Sequence, residues 1–112
     1  MGNNRRRERT KNNKRITHDQ AVEELEERVK GNYQIIFKNA TYFIPGSKKT
    51  IGELDLVGIC GQDWDIYEVK TNEGQYKKAV EQLKRARNEL SECGNIRTFY
   101  YVGRTKELIE II

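Results

Sequence analysis

Apolar and polar positions along this chain change period several times, and each change marks an element. Thr17-His18-Asp19-Gln20 has the form of a capping box, with Gln20 three residues after the capping threonine. His18, Ala21, Val22, Leu25 and Val29 then fall on one helical face, and Gly31-Asn32 closes the helix. Apolar and aromatic residues predict a strand over residues 33–37, with a resumption at 42–44, before a loop at Pro45-Gly46-Ser47. Two strands follow at 50–59 and 64–70, joined by a turn near Gly61-Gln62. Residues 75–91 read as a second helix, with Tyr76, Ala79, Val80, Leu83, Ala86 and Leu90 as its apolar stripe. A strand over 96–102 follows Gly94-Asn95, and residues 106–112 fit a helix or a strand. Helix, three strands, helix, strand predicts an α/β fold, a central mixed sheet flanked by helices.

The hairpin over 50–70 carries the chemistry. Alternation puts Ile51, Glu53, Asp55, Val57 and Ile59 on one face of its first strand and Leu54 and Leu56 on the other. On the second strand Trp64, Ile66, Glu68 and Lys70 share a face opposite Tyr67 and Val69. Both faces are apolar, so both should be covered. A two-residue turn with Gly first suits a type II′ hairpin and pairs Cys60 with Asp63. That register sets Asp55 opposite Glu68 and Glu53 opposite Lys70; a three-residue loop would move Asp55 to the diagonal. Facing Cβ atoms lie ~4.5–5.5 Å apart, and two carboxylates that close repel unless a proton or cation sits between them. A hard divalent ion resolves the conflict, and Lys70 can then reach a water or phosphate at it. The plainer alternative is a cross-strand charge cluster on a partly exposed sheet. The apolar company of Ile51, Val57, Ile59, Trp64 and Ile66 argues against it, because unmatched charge buried there is costly.

Composition narrows the setting. A chain of 112 residues suits one domain, and no apolar run approaches the ~20 residues of a membrane helix. The basic start lacks the apolar stretch of a secretory signal, so a cytoplasmic, intracellular protein without membrane contact is expected. Cys60 and Cys93 form no CxxC pair and read as free thiols; with a single histidine they cannot complete an ordinary zinc site. The net charge of +4 is a property of the first sixteen residues, which hold seven basic side chains against Glu8 alone; the remainder carries 14 basic and 16 acidic groups. Residues 1–16 therefore read as an arm, disordered when free, and 17–112 as the folded domain. Arg5, Arg6 and Arg7 suit phosphate contacts, although a solubilising tail has the same composition.

Gly52-Glu53-Leu54-Asp55-Leu56-Val57, followed by Glu68-Val69-Lys70-Thr71, resembles the motif of the PD-(D/E)XK nuclease superfamily, in particular the archaeal Holliday junction resolvases and the RecB-like nucleases. Leu54 stands where a proline usually precedes the aspartate. The resemblance spans residues 17–102, but its specific part is confined to the two strands. It implies a restriction-endonuclease-like core in the order α-β-β-β-α-β. It also implies a metal-dependent deoxyribonuclease of replication, recombination or repair, leaving a 5′-phosphate and a 3′-hydroxyl. Asp55 and Glu68, with the backbone carbonyl of Val69, would hold Mg2+ or Mn2+. Lys70 would position or activate the attacking water and stabilise developing charge. A homodimer, as in the resolvases, would supply two active sites to one DNA.

Supporting positions follow from the same resemblance. The first helix of these families supplies an acid or, in RecB-like members, a histidine, and His18 occupies that place. A neutral imidazole suits manganese better than magnesium; a helix-terminal histidine without metal is the alternative. Glu26 is the fallback, while Glu23, Glu24 and Glu27 read as a solvated face. Glu53 is a second ligand or the partner of Lys70. Gln82 is similar to a glutamine on the corresponding RecB-like helix, and Ser47 to a serine in the resolvase loop. Lys77, Lys78, Lys84 and Arg85 would grip phosphates or simply face solvent. The six tyrosines and Trp64 read as core and sheet residues, with no ladder for stacking bases. Two rival functions remain open: a non-catalytic nucleic-acid-binding module on a degenerate nuclease fold, and an RNA-directed nuclease.

Overall fold

The capping box closes as its spacing requires: the Thr17 hydroxyl accepts from the Gln20 amide at 3.1 Å, and the Gln20 side chain accepts from the Thr17 amide at 2.9 Å. It starts helix α1, His18–Val29, which buries Ala21, Val22, Leu25 and Val29; a short 3-10 turn, Lys30–Asn32, follows. The computed structural model describes residues 16–43 and 50–112. The basic arm with Arg5, Arg6 and Arg7, and the loop residue Ser47, lie outside these residues. No helix among the described residues is long and apolar enough to cross a membrane.

Five strands form one mixed sheet in the order β1-β2-β3-β4-β5. They are β1 (Ile35–Phe43), β2 (Thr50–Cys60), β3 (Asp63–Lys70), β4 (Asn95–Val102) and β5 (Glu107–Ile111), with α2 (Tyr76–Glu89) between β3 and β4. β3 and β4 run parallel, as a helical crossover allows, and the other pairs are antiparallel. The two pieces expected at 33–37 and 42–44 are joined in one strand over Ile35–Phe43, through the polar Lys38-Asn39, and residue 44 lies outside the described residues. β1 is an edge strand, so polar side chains there reach water. Residues 107–111 resolve their ambiguity as a strand, because β4 needs a partner on its outer side.

The β2–β3 turn behaves as its residues require. Gly61 takes φ 61°, Cys60 pairs with Asp63, and the register runs through Ile59↔Trp64 and Val57↔Ile66 to Leu56↔Tyr67. The sheet is covered on both sides. α1 packs with Leu56, Tyr67, Val69 and Tyr101. The buried Ala79, Leu83 and Ala86 of α2 pack with Leu54, Val57, Ile66, Tyr100 and Val102 on the opposite face.

Those two clusters correct the simple alternation expected of β2. Leu54 and Leu56, two residues apart, belong to opposite faces of the sheet. The same reversal occurs on β1, where Ile36 packs on the α1 side and Ala40 on the α2 side. Register is unbroken across it, with Lys38↔Leu56 on one side and Ala40↔Leu54 on the other; Asn39 and Asp55 drop out of the ladder between them. Asn39 takes φ 54°, a left-handed conformation that asparagine tolerates better than most residues. One residue on each strand thus turns the two-stranded ribbon over, and equal numbers on both sides preserve the pairing. Asn39→Gly should leave the urea midpoint near wild type. Asn39→Val, β-branched at positive φ, should cost about 1–3 kcal/mol. Equal stability of the two variants would show that the reversal does not depend on this residue.

Candidate active site

The hydrogen-bonded ladder between β2 and β3 stops at Leu56↔Tyr67, one position short of Asp55 and Glu68. In place of the next rung, the Asp55 carboxylate accepts the backbone N–H of Val69, at 2.8 Å to Oδ2. Within a strand the N–H and C=O of one residue point to the same neighbour. The carbonyl of Val69 is therefore directed into the gap that Asp55 occupies. β3 keeps its parallel pairing with β4 through Lys70↔Val102, and the Lys70 carbonyl accepts from Gly103 N at 2.8 Å. β3 thus remains anchored on one side while it parts from β2 on the other.

Three further side chains border the gap. His18, first residue of α1 and fixed by the Thr17 cap, brings Nε2 to 3.3 Å from Asp55 Oδ1. Glu68 and Lys70 alternate with the α1-facing Tyr67 and Val69, so they project on the α2 side. Glu68 is 6% exposed, and its Oε2 lies 3.1 Å from Lys70 Nζ. Burial and then the charge of Asp55 push the Glu68 carboxyl up to about 7; Lys70 and His18 oppose the shift without cancelling it. A single lysine does not offset two carboxylates in a site this dry.

The predicted residues are not all gathered here. Asp55, Glu68, Val69, Lys70 and His18 meet. Glu53 is exposed on β2, opposite Thr41 of β1. Glu26 lies two turns along α1 from His18 and pairs with Lys38 at 3.2 Å. Gln82, Lys77, Lys78, Lys84 and Arg85 are exposed along α2. Tyr76, assigned above to the buried stripe of that helix, leaves 48% of its surface in solvent. A groove of about 700 Å³ runs beside α1, lined by Gln20, Glu23, Glu24, Glu27, Arg104 and Lys106, and contains none of the converging residues.

The fit to a metal can be judged from the donors. Among the described residues no three His, Cys, Asp or Glu side chains form a ready-made metal-binding group. His18–Asp55 and Glu68–Lys70 stand as two adjacent pairs. Two carboxylates and a carbonyl are nevertheless the hard oxygen donors magnesium takes, and it commonly uses only one or two carboxylates together with substrate phosphates. The donor set fits such an ion, and manganese equally.

One polar cluster was not singled out from the sequence. Asp65, buried on the α1 side of β3, accepts from Arg97 through both oxygens, at 2.8 and 2.7 Å, and from the Tyr33 hydroxyl at 2.6 Å. Tyr33 also bonds the Tyr67 hydroxyl. A lone acid on an apolar face signals a partner, but choosing Arg97 requires the β3–β4 register, which no local pattern provides. Its oxygens are satisfied within the protein, so this cluster braces the sheet rather than offering ligands.

Comparison of the chain with family models, curated proteins and solved structures found no match.

The buried carboxyl dictates a pH dependence. Glu68 holds its proton to about pH 7 when folded but only to its ordinary value of 4.5 when unfolded. Between those values the folded state binds more protons, so this group lowers stability as pH rises and its full cost remains above 7. Glu68→Gln should therefore gain on wild type by on the order of 2–3 kcal/mol between about pH 5 and about pH 8. Denaturant titrations of both proteins at the two pH values measure this, and parallel pH profiles would contradict it.

Proposed function

We propose that the chain is a metal-dependent deoxyribonuclease that hydrolyses DNA phosphodiester bonds, structure- or end-directed in the manner of Holliday junction resolvases or RecB-like nucleases. One observation carries the reading: Asp55, the buried Glu68 and Lys70 meet where β2 and β3 part, with the carbonyl of Val69 directed into the same gap. Burial and the charge of Asp55 leave Glu68 short of positive charge although Lys70 and His18 are close. The element order, with a fifth strand appended, is compatible with a restriction-endonuclease-like core.

Each residue then has a task. Asp55 and Glu68, with the Val69 carbonyl, would hold Mg2+ or Mn2+. The ion supplies Lewis acidity at the scissile phosphate and a more acidic water. Lys70 has three N–H donors and spends one on Glu68, leaving two for the attacking water or a phosphate oxygen. The water oxygen forms the new bond to phosphorus as the bond to the leaving oxygen breaks. His18, 3.3 Å from Asp55 Oδ1, keeps that carboxylate oriented. The lysines of α2 add positive charge along the approach.

A panel of DNAs tests this: four-way junction, flap, linear duplex, single strand and supercoiled circle, each with magnesium, manganese or chelator, and with RNA counterparts in parallel. Wild type should cut at least one DNA only with metal, and Lys70→Ala should lose about 10²–10³-fold in rate. No cutting of any substrate with either metal, beside tight salt-sensitive binding, would replace the nuclease with a binding module. Cutting confined to RNA would move the substrate class.

A further inference from the structure

All six tyrosines lie among the described residues, and only Tyr76 is classed as exposed. Its ring and that of Tyr100 form a T-shaped pair, with centroids 5.5 Å apart and planes at 74°. Tyr100 is buried, and its Cα pairs with that of Glu68 across the β3–β4 ladder. One strand spacing of ~4.8 Å and one ring contact therefore separate Tyr76 from the strand that carries Glu68. The Tyr100 hydroxyl has no hydrogen-bond partner, so the brace acts through the rings.

The segment leading to Tyr76 is held on several sides. Arg104 N donates to the Thr71 carbonyl at 3.0 Å, the Asn72 side chain accepts from Gly74 N at 3.1 Å, and the Arg104 guanidinium pairs with Glu73. Tyr76 thus has a defined position and leaves about half of its surface in solvent. Lys77 and Lys78 follow it, on a helix that carries five basic against two acidic side chains. A half-exposed aromatic ring at the start of a net-positive helix suits single-stranded nucleic acid, the ring stacking a base and the cations neutralising phosphate. Phe37, also half exposed, lies on the edge strand β1, two strands away from β3, and Ile35 and Ile112 have no aromatic ring.

We infer that Tyr76 is a base-stacking platform beside the cleavage site, so that the preferred substrate carries an unpaired base next to the scissile phosphate. The inference rests on the nuclease reading for its position and deepens it by naming a substrate class. In a continuous duplex both faces of every internal base are covered by neighbours, and Tyr76 has nothing to receive. At a fork, flap or junction a base can leave the stack and lie on the ring. Tyr76 is then a specificity residue rather than a catalytic one.

The test uses the full chain on a fork with one unpaired arm and on a blunt duplex of the same sequence, with the metal that supports cutting. Wild type should prefer the fork. Tyr76→Leu, which still covers Tyr100 but has no aromatic face, should lose on the order of tenfold on the fork and nothing on the duplex; Tyr76→Phe should behave as wild type. Equal losses on both substrates, no loss on either, or no fork preference in wild type would overturn the inference while the nuclease stands. If wild type cuts neither DNA, the wider panel above decides the nuclease reading, and fluorescence anisotropy in chelator decides separately whether Tyr76 stacks an unpaired base. Weaker single-strand binding by Tyr76→Leu, with duplex binding unchanged and Tyr76→Phe normal, upholds it; identical affinities for wild type and Tyr76→Leu overturn it.

Discussion

The bond from Val69 N–H to the Asp55 carboxylate is the interaction on which the site depends. It takes the place of a ladder rung at the point where β2 and β3 part. A backbone donor given to a charged acceptor is worth about 1.5–3 kcal/mol net, more than a neutral bond, so the strands separate without leaving the amide unsatisfied. The consequences are geometric. The Val69 carbonyl turns into the gap, β2 reverses its faces between Leu54 and Leu56, and α1 can deliver His18 to the second Asp55 oxygen. Regular pairing at this level would close the space in which a phosphate could sit.

Two buried carboxylates on β3, three residues apart, show what distinguishes the site from ordinary architecture. Asp65 has Arg97 and the Tyr33 hydroxyl, and its oxygens are satisfied. Glu68 has Lys70 as its ion-pair partner and a weaker pull from His18, which do not offset burial and the charge of Asp55, and its affinity for a proton rises accordingly. The first arrangement stabilises a sheet. The second retains an unmet demand for positive charge, which a proton meets at low pH and a divalent ion would meet at higher pH. Burying a carboxylate in this condition costs stability, which is the mark of the site we propose as functional.

Much of this was legible in the chain. The capping box located α1, and the Gly61-Gln62 turn fixed the β2–β3 register, which brought Asp55 to the level of Glu68. What escaped was non-local. Alternation assumed a flat ribbon, and the reversal at Asn39 and Asp55 needs two strands to turn together, which no single stretch announces. The Asp65–Arg97 pair depends on a parallel register set by the packing of α2, and β1 looked discontinuous because an edge strand tolerates Lys38 and Asn39. Tyr76 fits a helical apolar stripe by spacing, yet it precedes the part of α2 that meets the sheet, so its ring remains half in solvent.

In the function we propose, Asp55 and Glu68 together bind a divalent cation. Paramagnetic broadening of backbone amide signals during a manganese titration of the full chain reads this residue by residue, even when binding is weak. The account predicts that Asp55, Glu68, Val69 and Lys70 broaden first and that Asp55→Asn abolishes the effect at all four. Broadening centred instead on the exposed acids of α1, Glu23, Glu24 and Glu27, and unchanged in the variant, would contradict it.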